Sequence, residues 1–128
     1  MANLNHITLA GYLTRDPELR VTANGTSVAT LGLAINHRYR QGDEWREEVC
    51  YIDCTVFGRQ AESATAYLSK GSPLLVEGRL RWRSWEGQDG QKRSKHDVLA
   101  STVQFLPRSN GAMTVEYEPG ENGDEMPF

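Results

Sequence analysis

Hydrophobic and polar residues alternate with a period of two along most of this chain, and the period becomes helical over one stretch only. Within residues 5–14 (NHITLAGYLT), Ile7, Leu9, Gly11 and Leu13 fall on one side and His6, Thr8, Ala10 and Tyr12 on the other, which predicts a strand. Gly11 in its middle predicts a bulge or sharp coil, as a sheet needs when it curls into a small barrel. Asp16-Pro17 marks a turn, and residues 19–22 run into Ala23-Asn24-Gly25-Thr26. The Asn-Gly pair signals a hairpin, because both residues tolerate the positive φ of a type I′ turn. Residues 27–39 (SVATLGLAINHRY) are a long apolar and β-branched run, a strand able to bend at Gly32. A loop of charge and glycine is expected over 40–48. Residues 49–57 alternate again, with Cys50, Ile52, Cys54 and Val56 as the core face and Val49, Tyr51, Asp53, Thr55 and Phe57 opposite.

Between Gly58 and Gly71, Ala61, Ala64 and Leu68 recur at helical spacing, and Lys70-Gly71 reads as a basic last turn and a stop. Residues 72–85 and 94–106 predict two further strands, joined through Gly87-Gln88-Asp89-Gly90. The expected fold is therefore all-β, a five-stranded barrel with one helix between strands 3 and 4. That is the arrangement of the OB-fold, whose strand 2–3 face binds oligonucleotides or sugars, although other five-stranded barrels fit the same order. From Pro107 the chain is rich in glycine, proline and acids and poor in aliphatics, so it is expected to stay disordered. The division is an OB-fold domain at 1–107 and a flexible acidic tail at 108–128.

Length and composition agree with one core: 128 residues, 38% hydrophobic and 24% charged. No run approaches the roughly 18 apolar residues of a membrane helix, and Met1-Ala2-Asn3-Leu4 lacks the start of a secretory signal, so a cytoplasmic protein is expected. If they share a strand, Cys50 and Cys54 are about 13 Å apart, beyond the roughly 7 Å reach of a disulfide, and they are expected to be small, reduced, buried side chains. His6, His37 and His96 are too scattered to complete a metal site, and no cofactor is implied. The net charge of −3 conceals a split. Residues 1–108 hold all 14 bases and 12 of the 17 acids, a balance of +2, whereas 109–128 hold five acids and no base. A mildly acidic chain can therefore still carry a basic groove for nucleic acid.

The chemistry concentrates on the fourth predicted strand. Leu74, Val76, Leu80 and Trp82 share one face, and Glu77, Arg79, Arg81, Arg83 and Trp85 share the other. Tyr51 and Phe57 point the same way on the third strand, and Tyr39 sits where the second strand enters its loop. Outward arginines are often only solvated, and a strand aromatic often only packs a neighbour. Cations interleaved with flat rings are nevertheless what a groove for single-stranded nucleic acid needs, one set for phosphates and the other for unstacked bases.

Several segments together resemble the bacterial single-stranded DNA-binding proteins: ITLAGYLTRDPELR at 7–20, NGTSVA at 24–29, FGRQAE at 57–62, YLSKGS at 67–72 and VEGRLR at 76–81. The resemblance spans about 5–106 and the last few residues. It implies an OB-fold assembled as a homotetramer that coats exposed strands in replication, recombination and repair. Carried over by position, it implies stacking by Tyr39, Tyr51, Phe57 and Trp85, and phosphate contacts from Arg38, Lys70, Arg79, Arg81 and Arg83. Many relatives place tryptophan where Tyr39 and Tyr51 stand. Trp82 fits equally a core residue at a strand end or an extension of the platform. Asp124, Glu125, Met126, Pro127 and Phe128 resemble the family's acidic tip, which recruits replication and repair proteins, with the aromatic in an apolar pocket and the carboxylates on surrounding bases. The competing readings are an OB-fold adaptor of replication restart whose main role is protein docking, and a nuclease on the same barrel. Against the nuclease, the carboxylates are dispersed.

Overall fold

The computed structural model describes residues 2–107. The expected acidic tail and its tip at 124–128 lie outside the described residues. Six strands and one helix follow in the order β1 (Ile7–Leu13), β2 (Glu18–Val21), β3 (Ser27–Gln41), β4 (Glu44–Phe57), α1 (Arg59–Tyr67), β5 (Pro73–Glu86) and β6 (Lys92–Phe105). They pair as β1-β5-β6-β4-β3-β2, and β1 pairs in addition with β3. The extra pairing closes β1, β5, β6, β4 and β3 into a ring, the five-stranded barrel of an OB-fold, and leaves β2 as an edge on β3. Every pairing is antiparallel except β4 with β6, which run parallel at Cys54↔Val98 and Thr55↔Leu99.

The strand count differs from the expectation. Residues 18–21 form a strand of their own by pairing with Thr30 to Ser27, so the helix lies between β4 and β5 of six strands rather than between the third and fourth. The hairpin after β2 is also offset. The Gly25 N–H donates to the Thr22 carbonyl and Thr22 N–H to Thr26, so Gly25, at φ 88°, is the third residue of the connection rather than half of a type I′ pair.

The predicted loop at 40–48 is instead the end of a long ribbon. β3 and β4 stay paired as far as Gln41↔Glu44, and the chain reverses over Gly42-Asp43 with Gly42 at φ 68°. Cross-strand partners of opposite or complementary kind, Arg38↔Glu47 and Arg40↔Trp45, give this polar segment a reason to remain a ladder. The helix is shorter than its pattern. Leu68 is already extended at φ −110° and ψ 151° and turns its side chain into the core, so Lys70-Gly71 occupy the following turn and α1 has no basic residue in its last turn.

The core gathers the inward alternation of each strand: Leu13 from β1, Leu31 and Leu33 from β3, Cys54 and Val56 from β4, Leu74 and Val76 from β5, Val98 and Ala100 from β6. Ala61, Ala64 and Leu68 plug one end. Of the two cysteines only Cys54 is buried, whereas Cys50 is exposed because β4 has by then left the barrel for the ribbon. Burial and the neighbouring charges of Asp53 and Asp97 push the Cys54 thiol up to about 12.

Closure needs local irregularity. Between Glu77 and Gly78 the β5–β6 register slips by one, with Ser101 as the extra residue on β6. The slip lets Val103 on one side of the bulge and Ala100 and Val98 on the other all face inward. The backbone groups it frees are taken by Gln60, whose amide donates to the Ser101 carbonyl at 2.8 Å and accepts from Val103 N–H at 2.8 Å. Gly78 faces the slip, and a Cβ there would collide with the Leu99 carbonyl oxygen; Gly11 likewise presses on the carbonyl of Ala34 where β1 crosses to β3. Gly78→Ala is therefore expected to cost about 1–3 kcal/mol, read as a lowered urea midpoint. An unchanged midpoint would show that the barrel does not depend on this approach.

Candidate nucleic-acid interface

Opposed residues of an antiparallel ladder point to the same side, so the register defines the outer face of β3 and β4. Val28↔Phe57, Thr30↔Thr55, Gly32↔Asp53 and Ala34↔Tyr51 lie on it. On β5 and β6 the corresponding face carries Arg81↔Asp97, Arg83↔Lys95 and Trp85↔Arg93. The parallel β4–β6 contact joins the two faces, and a groove of about 370 Å³ lies where they meet. Asp53, Thr55 and Asp97 line it together with Phe57, Arg81 and Arg83, and Arg20 and Val21 reach it from the edge strand.

Two carboxylates organise its charge. Asp97 is fully buried. Its Oδ1 accepts from Arg81 Nε at 3.1 Å, and its Oδ2 accepts from Arg81 Nη2 at 3.1 Å and lies 3.1 Å from Arg83 Nε. Burial pushes this carboxyl up, but the Arg81 hydrogen bonds and charge, with Arg83 and Lys95, outweigh it and hold Asp97 below the ordinary carboxylate value. Asp53 bridges Arg15, 3.4 Å from its Oδ1, and Lys95, which closes on Oδ2. Burial again opposes ionisation there, and Lys95 and Arg15 again win, so Asp53 is lowered too. Gly32 makes room for this pairing, because the Arg15 guanidinium lies where a Cβ on Gly32 would be. Four cations thus face two carboxylates, and the groove stays positive.

The structure brings Phe57, Arg81 and Arg83 together in the groove. Tyr51, 70% exposed, continues the same face of β4, and Trp85 continues that of β5 with the Arg83 guanidinium 5.9 Å from its ring. Arg79 shares the alternation of Arg81 but lies next to the slip, outside the groove. Arg38 is on the ribbon face of Tyr51, 4.9 Å over the ring of Trp45. Tyr39 is on the opposite ribbon face, stacked on His37 at 5.9 Å. Lys70 sits in the turn after α1, its backbone N–H bonded to Asp16 at 2.8 Å. Trp82, 59% exposed and on the face opposite Arg81, is not a core residue.

Asp97, Lys95, Arg15 and Trp45 were not singled out by the strand patterns. A signal for the first two was present. A hairpin centred on Asp89 sets Arg81 opposite Asp97 and Arg83 opposite Lys95. Arg15 carries no such signal, since it comes from the loop after β1. Among the described residues no group of three His, Cys, Asp or Glu side chains is placed to hold a metal ion, and no helix is long and apolar enough to cross a membrane.

Residues 4–106 match the model of the single-strand binding protein family. The single-stranded DNA-binding protein of Wolinella succinogenes is 49% identical over 115 residues, which cover 89% of this chain and 70% of that one. The protein of the same name from Helicobacter hepaticus is 44% identical over 97% of this chain and 67% of its own length. Among solved structures, a Plasmodium falciparum SSB in complex with ssDNA superposes with a TM-score of 0.78 at 25% identity, over 84% of this chain and 98% of that one.

The lowered carboxyls make a prediction about acid. A depressed folded-state pKa contributes stability that is complete above the unfolded value of about 3.9 and is lost as pH falls through the folded one. The melting temperature is therefore expected to be flat from about pH 7 to 5 and to fall below about pH 4. Asp97→Asn should lower it at neutral pH and flatten part of the acid limb. An acid limb identical in the variant would exclude Asp97 as a contributor.

Proposed function

The chain belongs to the single-strand binding protein family, whose members are non-enzymatic DNA-binding proteins, and from that premise we propose that it binds and protects single-stranded DNA without strong sequence preference. One observation carries the reading: on a single continuous outer face the fold aligns Phe57 and Tyr51 of β4 with Arg81, Arg83 and Trp85 of β5, around a positively charged groove. Unpaired bases offer apolar faces that rings can stack on, whatever the base, and guanidinium groups meet the phosphates between them. Sequence tolerance follows, because neither interaction reads base edges.

The proposed contacts are stacking by Tyr39, Tyr51, Phe57 and Trp85 and phosphate pairing by Arg38, Lys70, Arg79, Arg81 and Arg83. Tyr39 and Lys70 lie away from the groove, so a strand that touches every one of these residues turns around the barrel. Exposed Tyr12, Leu80 and Trp82 leave apolar surface for self-association into a homotetramer. The reading extends to a cytoplasmic, nucleoid-associated protein acting in replication, recombination and repair, with an OB-fold domain at 1–107. The acidic tail at 108–128 recruits partner proteins through Asp124, Glu125, Met126, Pro127 and Phe128.

Tryptophan fluorescence from Trp45, Trp82 and Trp85 should be quenched by oligo-dT, with log affinity falling against log salt by about 0.7 per phosphate neutralised. Phe57→Ala and Trp85→Ala should each weaken binding by about 1–3 kcal/mol, roughly 5- to 150-fold. Absence of quenching at low salt, or undiminished binding by a folded double variant, would overturn the proposal. Light scattering with dT oligomers of increasing length should report a tetramer and its site size together.

A further inference from the structure

Among the described residues, the charged side chain with no exposed surface belongs to the groove. Asp97 is 0% exposed, yet it stands among the lining residues of a surface proposed to hold a polyanion. A carboxylate placed there has two opposed consequences. As a fixed negative charge it repels phosphates. As an acceptor for Nε and Nη2 of Arg81 it fixes the plane of that guanidinium, and as an ion-pair partner for Nε of Arg83 it holds the second one in place.

We infer that Asp97 is a positioning residue for single-strand binding: its hold on Arg81 and Arg83 strengthens capture of the strand by more than its charge weakens it. The inference rests on the proposed function of the groove. Its physical content is orientation. Arg81 commits two of its five N–H donors to Asp97, one from each of Nε and Nη2, and the remaining three project from a guanidinium that no longer rotates. A phosphate or base that meets these donors does not have to immobilise a long, flexible side chain first. The arginine side chains are part exposed, at 29% and 47%, so both partners are reached from the groove. Lysine would not serve, because an ammonium group has no planar fork for a carboxylate to fix.

The decisive measurement is the sign of the change in Asp97→Asn. That substitution raises the charge of the groove by one, so a carboxylate that acted only as a counter-charge would, on removal, tighten binding and steepen the salt dependence. Positioning requires the reverse, roughly tenfold weaker binding of oligo-dT at fixed salt despite the gained positive charge. In an Arg81→Lys, Arg83→Lys background there is no fork left to orient, and Asp97→Asn should then tighten binding. Wild-type quenching by oligo-dT is run alongside. If the wild type does not bind, the proposed function fails; if it binds and Asp97→Asn binds as well or better, only the positioning role fails. Circular dichroism checks folding of each variant. Should Asp97→Asn not fold, Asp97→Glu tests the same point with the charge and both arginines kept but the carboxylate moved off the Arg81 fork: weaker binding of oligo-dT supports positioning and an unchanged affinity overturns it.

Discussion

Closing the sheet on itself is the constraint from which the rest of this structure follows. β1 pairs with β5 through most of its length and with β3 at Tyr12 and Leu13, so one seven-residue strand spans the seam. A closed ring gives each of its five strands a partner on both sides within the barrel, but it brings backbones within a side chain's width of one another. Gly11 and Gly78 stand at the two tightest approaches to a neighbouring strand's backbone. The register slip at Ser101 is the matching adjustment on β6, and Gln60 at the start of α1 supplies the hydrogen bonds that the slip removes. The helix is thus more than a plug, because its first turn completes the ladder of a strand it only abuts.

The same closure builds the groove. Only because β4 and β6 meet in parallel at Cys54 and Thr55 does the outer face of β3 and β4 run on into that of β5 and β6. Asp53 and Asp97 come to that junction from different strands, Asp53 bridging Arg15 from the loop after β1 and Lys95 from β6, and Asp97 holding two arginines of the neighbouring strand β5. A carboxylate as deeply placed as Asp97 is tolerable only with its oxygens satisfied and its charge opposed, and both conditions are met by arginines. The polar network is therefore tied to the barrel wall beneath it. Cys54, one residue from Asp53 and paired with the neighbour of Asp97, is core on one side and close to two anions on the other, and its thiol is correspondingly inert.

Beyond the barrel, β3–β4 and β5–β6 continue as two-stranded ribbons. The aromatic and basic residues are densest there: Trp45 and Tyr51 with Arg38 and Arg40 on one ribbon, Trp82 and Trp85 with Arg83 on the other. Residues that alternation assigns to the core side lose their cover on leaving the barrel, which is why Cys50, Leu80 and Trp82 are exposed although their parity is that of Cys54 and Val76.

Much of this was legible in the chain. Period-two alternation, with the apolar and β-branched run at 27–39, located every strand of the barrel and the helical spacing of Ala61, Ala64 and Leu68 located the helix, because these patterns are local properties of the chain. The facing of Phe57 with Tyr51, and of Arg81 with Arg83 and Trp85, is likewise a matter of counting. Local pattern failed where pairing decided the outcome. Glu18 to Val21 became a strand only because β3 offered an edge, and the charged run at 40–48 became a ribbon only through its cross-strand partners. How far a strand stays inside the barrel is set by ring closure, so burial of Cys50 or Trp82 could not be read from parity. Arg81 and Asp97 meet across a single hairpin, but the burial of Asp97 is decided by the barrel around it, and the meeting of Asp53 with Arg15 and Lys95 joins residues far apart in sequence that only the closed sheet brings within a few ångströms.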